Sequence, residues 1–301
     1  MAVKTRKIYR SIIIVLCVAG LITLLLIGFF YTSARSQFPS DSIQSLWVMS
    51  KWMPVFEDQF NGQVLDASKW VTCYWWDASG CTNRSNHELE WYQPANDIVK
   101  DGYLLLTAKQ ETVSDPNGQP YAYTSGMVTT GSDSAGTKNT PRFAFTYGFL
   151  QVRAWTPGGK GLWPAIWLLP ANQNSKPEID VMELRGSQPD VIYMNFHYLN
   201  SDGTEGLNEG QWTSDTDLSA GFHTYAVDWE PNAITWYVDG IERRRFSDPT
   251  KIPSTPMYLL INLAVGGDWP GSPDQQTILP NMLIVDYVQI WQPKDRINVM
   301  H

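Results

Sequence analysis

Three acidic residues stand close together in one short segment of the chain. Glu178, Asp180 and Glu183 fall within six residues, and apolar residues separate them. The pattern is typical of a β-strand, in which successive side chains alternate between two faces. Glu178 and Asp180 therefore share a face, and a β-bulge of one extra residue would bring Glu183 to the same face.

Such a grouping favours chemistry over a purely structural role, because carboxylates on one face of a sheet repel each other. Cleavage of a glycosidic bond needs two carboxyl groups, one as nucleophile or base and one as proton donor with a raised pKa. Five strand steps span roughly 16 Å, whereas the two carboxyl groups must lie within about 5–10 Å. We therefore expect a bent strand on the concave side of a curved sheet. The alternative is a solvated acidic strand face.

The segments around the acids carry a family resemblance that extends from Phe56 to about Trp291. They are similar to glycoside hydrolase family 16, and the acid motif with Met182 inserted resembles the laminarinase-like branch of endo-β-1,3-glucanases. This resemblance implies a jelly-roll β-sandwich with a concave substrate cleft. The matching segments are 86–92, 101–104, 125–127, 147–149, 163–167, 178–183, 195–197, 228–229, 237–240, 264–271 and 285–288.

The same resemblance implies catalytic roles. Glu178 would be the nucleophile, Glu183 the general acid and base, and Asp180 the residue that holds their protonation states apart, with retention of configuration. The expected activity is endo-hydrolysis of β-1,3-linked glucan. Mixed-linkage glucanase and transglycosylase activities remain alternatives within the family. A non-catalytic glucan-binding receptor is a further alternative, although such relatives tend to lose the acids.

The resemblance also implies a set of substrate-binding residues. One of the two tryptophans around Pro164 is expected in the cleft, Trp167 being preferred, while the other packs. His197 would hydrogen-bond near Glu183 or to the substrate, unless it is structural. Trp269 would lie at one end of the cleft, unless it packs within its loop. The residues are Asn86, Trp163, Trp167, His197 and Trp269.

No cofactor is expected for catalysis, but a structural calcium ion is implied on the convex face. Gly102 and Asp286 match the positions that hold it, and a carboxylate with backbone carbonyls suits the oxygen preference of calcium. Gln59 replaces an acidic residue that is usual in the family, which weakens this prediction.

Composition limits the class of partner. Of the 301 residues 43% are apolar and 14 are tryptophan, and the formal net charge is −8 with a pI near 5.0. The acidic balance argues against a nucleic-acid partner. Aromatic rings suit a polysaccharide, because the C–H face of a pyranose stacks on them. We expect a monomer.

From residue 53 to 293 the chain reads as short strands separated by turns, without an internal repeat. Segments 103–108, 257–265 and 283–291 are predicted buried strands, and 226–238 is a predicted hairpin. We therefore predict an all-β domain of one β-sandwich, followed by a tail over 294–301.

The first 52 residues predict a membrane attachment. Residues 11–31 are almost wholly apolar and long enough to cross a bilayer as one helix. Residues 1–10 are basic, which predicts a cytoplasmic N-terminus and an exported domain. A cleaved signal peptide with its site near 32–34 is the alternative, giving a secreted protein. Residues 32–52 are predicted to form a linker between the apolar segment and the domain that begins at residue 53.

Cys73 and Cys81 both fall on the predicted exported side. A pair eight residues apart predicts a loop-closing disulfide. Two reduced thiols are the alternative.

Overall fold

The computed structural model describes residues 52–76, 81–132 and 140–297. These ranges form an all-β fold with three short 3₁₀ turns and one terminal helical turn, α1 (Lys294–Ile297). Within them the strands are β1 (Trp52–Asp58), β2 (Glu90–Tyr92), β3 (Asp97–Lys100), β4 (Tyr103–Ala108), β5 (Val113–Ser114), β6 (Pro120–Tyr121), β7 (Tyr123–Ser125), β8 (Met127–Thr129), β9 (Gly148–Trp155), β10 (Leu162–Pro170), β11 (Glu178–Leu184), β12 (Val191–Tyr193), β13 (Phe196–Leu199), β14 (Glu205–Asn208), β15 (Gln211–Thr213), β16 (His223–Glu230), β17 (Ala233–Val238), β18 (Ile241–Phe246), β19 (Met257–Val265) and β20 (Asn281–Pro293).

Two large antiparallel sheets make up the sandwich. The outer sheet runs in the order β18-β17-β16-β9-β20-β4-β3, with β1 paired to β20. The cleft sheet runs in the order β14-β13-β11-β10-β19-β8, and β12 and β15 extend it beside β11. Two short two-stranded pairs, β2 with β7 and β5 with β6, lie outside these sheets. The β-sandwich prediction is confirmed.

The core between the sheets follows from the alternation of side chains along each strand. On β9, Leu150, Val152 and Ala154 are fully buried, whereas the residues between them are partly exposed. The central strand β19 is buried along its whole length because it has neighbours on both edges and is covered on both faces. Period-two patterning therefore specified which face of each strand enters the core.

The acid strand β11 contains the expected bulge. Asp180 pairs with Trp167 and Met182 with Ile166 of β10, so Val181 is left without a partner. The inserted residue is thus Val181 by register, whereas the sequence motif suggested Met182. Both lie in the hydrophobic core, which is the two-against-one arrangement of a bulge.

The boundary at the start of the domain needs one correction. Trp52, assigned to the linker, is the first residue of β1 and pairs with Pro293 at the end of β20. The predicted membrane segment over 11–31 and the rest of the linker lie outside the described residues. In the part of the chain that is described, no helix has the length and apolar character needed to span a bilayer.

Candidate active site

The bulge brings the two outer acids of β11 to one cleft. Glu178 and Glu183 both line a cleft of about 1030 Å³ over the cleft sheet. Asp180 lies between them and beneath the surface, with only 1% of its area exposed. If these residues alternated strictly, without a bulge, Glu183 would face the core. The predicted grouping of the three acids on one side of a curved sheet is therefore present.

Glu183 is held by two hydrogen bonds from neutral donors. The indole Nε1 of Trp163 donates to Oε1, and the side-chain amide of Asn195 donates to Oε2, each at 3.2 Å. Burial raises the pKa of Glu183 well above its usual range, and the charges of Asp180 and Glu178 raise it further, while the Asn195 bond opposes the shift. A carboxyl that keeps its proton near neutral pH can act as a general acid.

Asp180 also keeps a proton more readily than an ordinary aspartate. Burial raises the pKa of Asp180 well above its usual range, followed by the charge and hydrogen bonding of Glu178, and Lys176 opposes the shift. The backbone carbonyl of Asp180 accepts from the indole of Trp236 at 2.8 Å, and its N–H donates to the carbonyl of Asn195 at 3.0 Å. These bonds fix the strand at the middle acid.

Glu178 faces the adjacent strand β13 and a lysine. His197 is its direct partner in the ladder, and the Nε2 atom of His197 lies 3.4 Å from Oδ2 of Asp180. Burial lowers the pKa of His197, which favours the neutral ring. The ammonium of Lys176 donates to Oε2 of Glu178 at 2.7 Å. The predicted histidine thus lies within the acid cluster.

Within the described ranges, one group of three potential metal-ligating side chains lies together. It consists of Glu178, Asp180 and His197, whose ligand atoms are within 4.8 Å of one another. Two carboxylates and an imidazole attract a cation, and Lys176 supplies an ammonium at this position.

The five predicted substrate-binding residues all line the same cleft, and they are Asn86, Trp163, Trp167, His197 and Trp269. The expectation that one of the two β10 tryptophans packs away from the cleft is wrong. Positions four apart on a strand share a face, so Trp163 and Trp167 both face the cleft. The indole of Trp167 donates to Oδ1 of Asn262 at 2.8 Å, which fixes its ring.

Trp269 closes one side of the cleft in an aromatic cluster. Its ring packs edge-on against Trp163, with centroids 5.1 Å apart, and against Tyr193 at 4.8 Å. The guanidinium of Arg185 lies 5.1 Å from the Trp269 centroid. Trp269 therefore both lines the cleft and packs, so the two interpretations offered by the sequence are compatible.

Asn86 stands on a loop that is tied to the Trp269 loop. Its side-chain amide donates to Oε1 of Glu88 at 2.9 Å, and its carbonyl accepts from the backbone of Asp268 at 3.0 Å. Burial raises the pKa of Glu88. The bond to Glu88 orients the amide of Asn86 at the cleft wall.

The opposite wall contains aromatic residues that sequence reasoning did not assign to the site. They come from the segment between the two cysteines, which are joined by a disulfide. The sequence did contain a signal for them, the adjacent pair Trp75-Trp76 within the loop that the two cysteines close. Aromatic rings held by a covalent link suit a rigid wall for sugar binding. Lys176 and Asn195 were also missed as site residues. The wall residues are Tyr74, Trp75 and Trp76.

The residues expected to hold calcium lie away from the cleft, in the outer sheet. Gly102 occupies the turn between β3 and β4, and Asp286 lies at a register shift in β20. The carboxylate of Asp286 accepts from the guanidinium of Arg153 at 2.5 Å. A calcium ion at this position would compete with Arg153 for the carboxylate of Asp286. Calcium binding stays a prediction of the family resemblance.

Comparisons with known proteins identify the family of the chain. The profile of glycosyl hydrolases family 16 matches residues 83–279. An endo-1,3-1,4-beta-glycanase of Rhizobium meliloti (strain 1021) is 37% identical over 252 residues, covering 78% of this chain and 51% of the relative. A beta-glucanase of Rhodothermus marinus is 32% identical over 266 residues, covering 80% of this chain and 85% of the relative.

Solved structures show the same similarity. The laminarinase catalytic domain from Thermotoga maritima MSB8 is 31% identical, with a TM-score of 0.70, covering 80% of this chain and 98% of that domain. This chain spans about half the length of the first two relatives, which are both endo-1,3-1,4-beta-glycanases. The sandwich, the bulged acid strand and the matched profile together establish that the chain belongs to glycosyl hydrolase family 16.

Proposed function

We propose that this protein is an endo-acting glycoside hydrolase that cleaves β-1,3-linked glucan with retention of configuration. The observation that carries the proposal is the bulged strand β11, which presents Glu178 and Glu183 to one cleft and keeps Asp180 beneath them. The raised pKa of Glu183 suits a proton donor. The names of the relatives, which include glucanases and laminarinases, support the substrate class.

In the first step, a carboxylate oxygen of Glu178 attacks the anomeric carbon of the sugar. The bond from that carbon to the glycosidic oxygen breaks as an ester to Glu178 forms. Glu183 transfers its proton to the departing oxygen, so one sugar chain leaves as an alcohol. Trp163 and Asn195 then hydrogen-bond to the carboxylate that remains on Glu183.

In the second step, Glu183 takes a proton from water while the water oxygen attacks the anomeric carbon. The ester bond breaks, Glu178 regains its carboxylate, and the product keeps the original configuration after two inversions. Asp180 stays buried between the two acids, and its raised pKa limits the number of negative charges in the cluster. The site thereby returns to its starting protonation state.

The aromatic walls of the cleft support a neutral polysaccharide as substrate. Trp76 and Trp167 line one part of the cleft and Trp163 and Trp269 another, which offers rings for sugar stacking along the chain. Mixed-linkage β-1,3-1,4-glucan is the second candidate, because the first two relatives carry that activity in their names. Transglycosylation would follow the same first step, with a sugar hydroxyl replacing water in the second.

The test compares the wild type with Glu178→Gln and Glu183→Gln on laminarin, mixed-linkage glucan and agarose, with products resolved by size. We expect the wild type to release short oligosaccharides from laminarin with the β-anomer formed first. Glu183→Gln should lose about 10²–10⁴-fold in rate on natural glucan, and Glu178→Gln should be inactive. Glu242→Gln, an exposed acid on β18 of the outer sheet, is the matched control.

Equal activity of Glu178→Gln and the wild type would remove the nucleophile assignment. A wild type that binds laminarin but cleaves none of the three polysaccharides would instead support a glucan-binding receptor. Formation of longer products from laminari-oligosaccharides would support transglycosylation.

We also propose that the catalytic domain acts outside the cytoplasm. Basic residues over 1–10 followed by the apolar segment 11–31 support an N-terminal membrane anchor, and a signal sequence cleaved near 32–34 is the alternative. The N-terminal sequence of the mature protein, together with its partition between membrane and medium, separates the two. Recovery of the full-length chain in the cytosol would contradict both.

A further inference from the structure

A partly buried lysine contacts the proposed nucleophile. Lys176 stands two residues before Glu178, just ahead of the first residue of β11. The ammonium donates to Oε2 of Glu178 at 2.7 Å, and the two side chains are only 14% and 20% exposed. Exposed ion pairs contribute little, but a pair with this degree of burial is screened far less by solvent.

The surrounding charges indicate why a cation is needed there. Three carboxyl groups share the cluster, and the pKa values of Asp180 and Glu183 are raised chiefly by burial, so both favour the protonated form. His197 favours its neutral form for the same reason. The ammonium of Lys176 contacts this cluster at Glu178, where it can act as the counter-ion of a carboxylate.

Lys176 donates to one of the two carboxylate oxygens of Glu178. The ammonium donates to Oε2 at 2.7 Å, which restricts the orientation of the carboxylate. Lys176 itself lines the cleft, so its side chain is within the substrate chamber rather than on the outer surface. A charge-assisted hydrogen bond of this kind fixes both the charge and the rotamer of a carboxylate.

We infer that Lys176 is a positioning residue for the reaction, which holds Glu178 charged and aimed before attack and stabilises its carboxylate as it leaves the sugar in the second step. This inference rests on the proposed function. Removal of the ammonium should make the charged form of Glu178 less favourable. It should also slow cleavage of the ester, because the departing carboxylate loses its counter-ion.

The test measures kcat/KM on laminarin between pH 4 and 8 for the wild type, Lys176→Met and Lys176→Arg. We expect the acid limb of Lys176→Met to move up by about one pH unit or more and that of Lys176→Arg to stay near the wild type. Lys100→Met, on an exposed position of β3, changes the net charge equally and should move nothing. With an activated aryl β-glucoside, Lys176→Met should show a burst of released phenol.

A second readout does not depend on catalysis. In protein labelled with ¹³C at the glutamate carboxyl groups, the Glu178 resonance is assigned by its loss in Glu178→Gln. At one fixed pH this resonance should move in Lys176→Met and stay near its wild-type position in Lys176→Arg. A lowered melting temperature with an unchanged Glu178 resonance and an unchanged acid limb would overturn the inference in favour of a structural tether. A rise in KM alone would overturn it in favour of substrate contact. If the Glu178 resonance moves in Lys176→Met while the wild type cleaves no glucan, the proposed function fails and the contact of Lys176 with Glu178 stands.

Discussion

The side-chain amide of Asn195 bridges the proposed general acid and a cleft loop. Its Nδ2 donates to Oε2 of Glu183 at 3.2 Å, and its Oδ1 accepts from the backbone N–H of Gly210 at the same distance. The bond from Gly210 settles which end of the amide faces Glu183, because a backbone N–H can only donate. The donor that meets the acid is therefore set by the fold of the loop after β14.

Loss of this donor should alter the pH dependence of catalysis. The Asn195 bond opposes the rise in the pKa of Glu183, so Asn195→Ala should raise that pKa further. Since a hydrogen bond to a charged group contributes about 1.5–3 kcal/mol, the basic limb of the kcat profile should move up by about one pH unit. The kcat profile over pH 5–9 measures it, with Asn200→Ala in the β13–β14 turn as control. A limb that moves down would contradict the proposed contact.

The buried side chain of Asp180 should lower the free energy of unfolding at neutral pH. The pKa of Asp180 is raised in the folded state, so its favourable contribution is present at low pH and is lost as the pH rises through that raised pKa. We expect Asp180→Asn to be more stable than the wild type at pH 8 by about 1–3 kcal/mol, the usual cost of an uncompensated buried polar group, and the gap to shrink toward pH 4.

Urea unfolding at pH 4, 6 and 8 measures this difference, and Glu242→Gln on the outer sheet serves as the control for loss of one carboxylate. A gap that grows as the pH falls would have the wrong sign for a raised pKa. Activity of Asp180→Asn should fall at the same time, because the charge balance between Glu178 and Glu183 changes.

The disulfide should support both stability and substrate binding. Cys73 and Cys81 close a short loop beside Trp75 and Trp76. For a loop of this length the chain-entropy model gives about 2–3 kcal/mol of stabilisation. Reduction with dithiothreitol should lower the free energy of unfolding by this amount and raise KM more than it lowers kcat.

The double variant Cys73→Ala/Cys81→Ala is the matched control for this prediction. It should resemble the reduced wild type and should not respond to dithiothreitol. A KM that stays at the wild-type value in both proteins would show that the tryptophan wall holds its position without the covalent link.

Trp269 should affect binding more than the chemical step. Its ring packs on Trp163, which donates to Glu183. The guanidinium of Arg185 also lies over the Trp269 ring. Trp269→Ala removes apolar surface that a bound sugar would cover, worth about 1–2 kcal/mol for roughly 40–80 Å², so KM for laminarin should rise about 5–30-fold, while kcat falls less. Trp269→Phe should recover most of the loss.

Trp155→Ala removes a half-exposed ring from the outer sheet and is the control. Unchanged KM in Trp269→Ala would restrict that residue to loop packing, which is the alternative that the sequence left open.

Much of the fold follows from local sequence pattern. Alternating apolar residues in β9, the turn before β4 and the hairpin of β16 and β17 are short-range signals, because a strand's faces and a tight turn depend on adjacent residues. The acid spacing likewise predicted a bulge in β11, since three acids cannot share a face at that spacing without one.

The identity of the partners across the site came only from tertiary structure. Asn195 reaches Glu183 from the segment between β12 and β13, and the indole of Trp236 reaches Asp180 from the opposite sheet. Sequence spacing carries no information on pairing between strands that are distant along the chain. The three acids and their shared face were thus determined by local chemistry. Their protonation and side-chain orientation were decided by long-range packing, which sets the burial of each acid and the position of each hydrogen-bond donor.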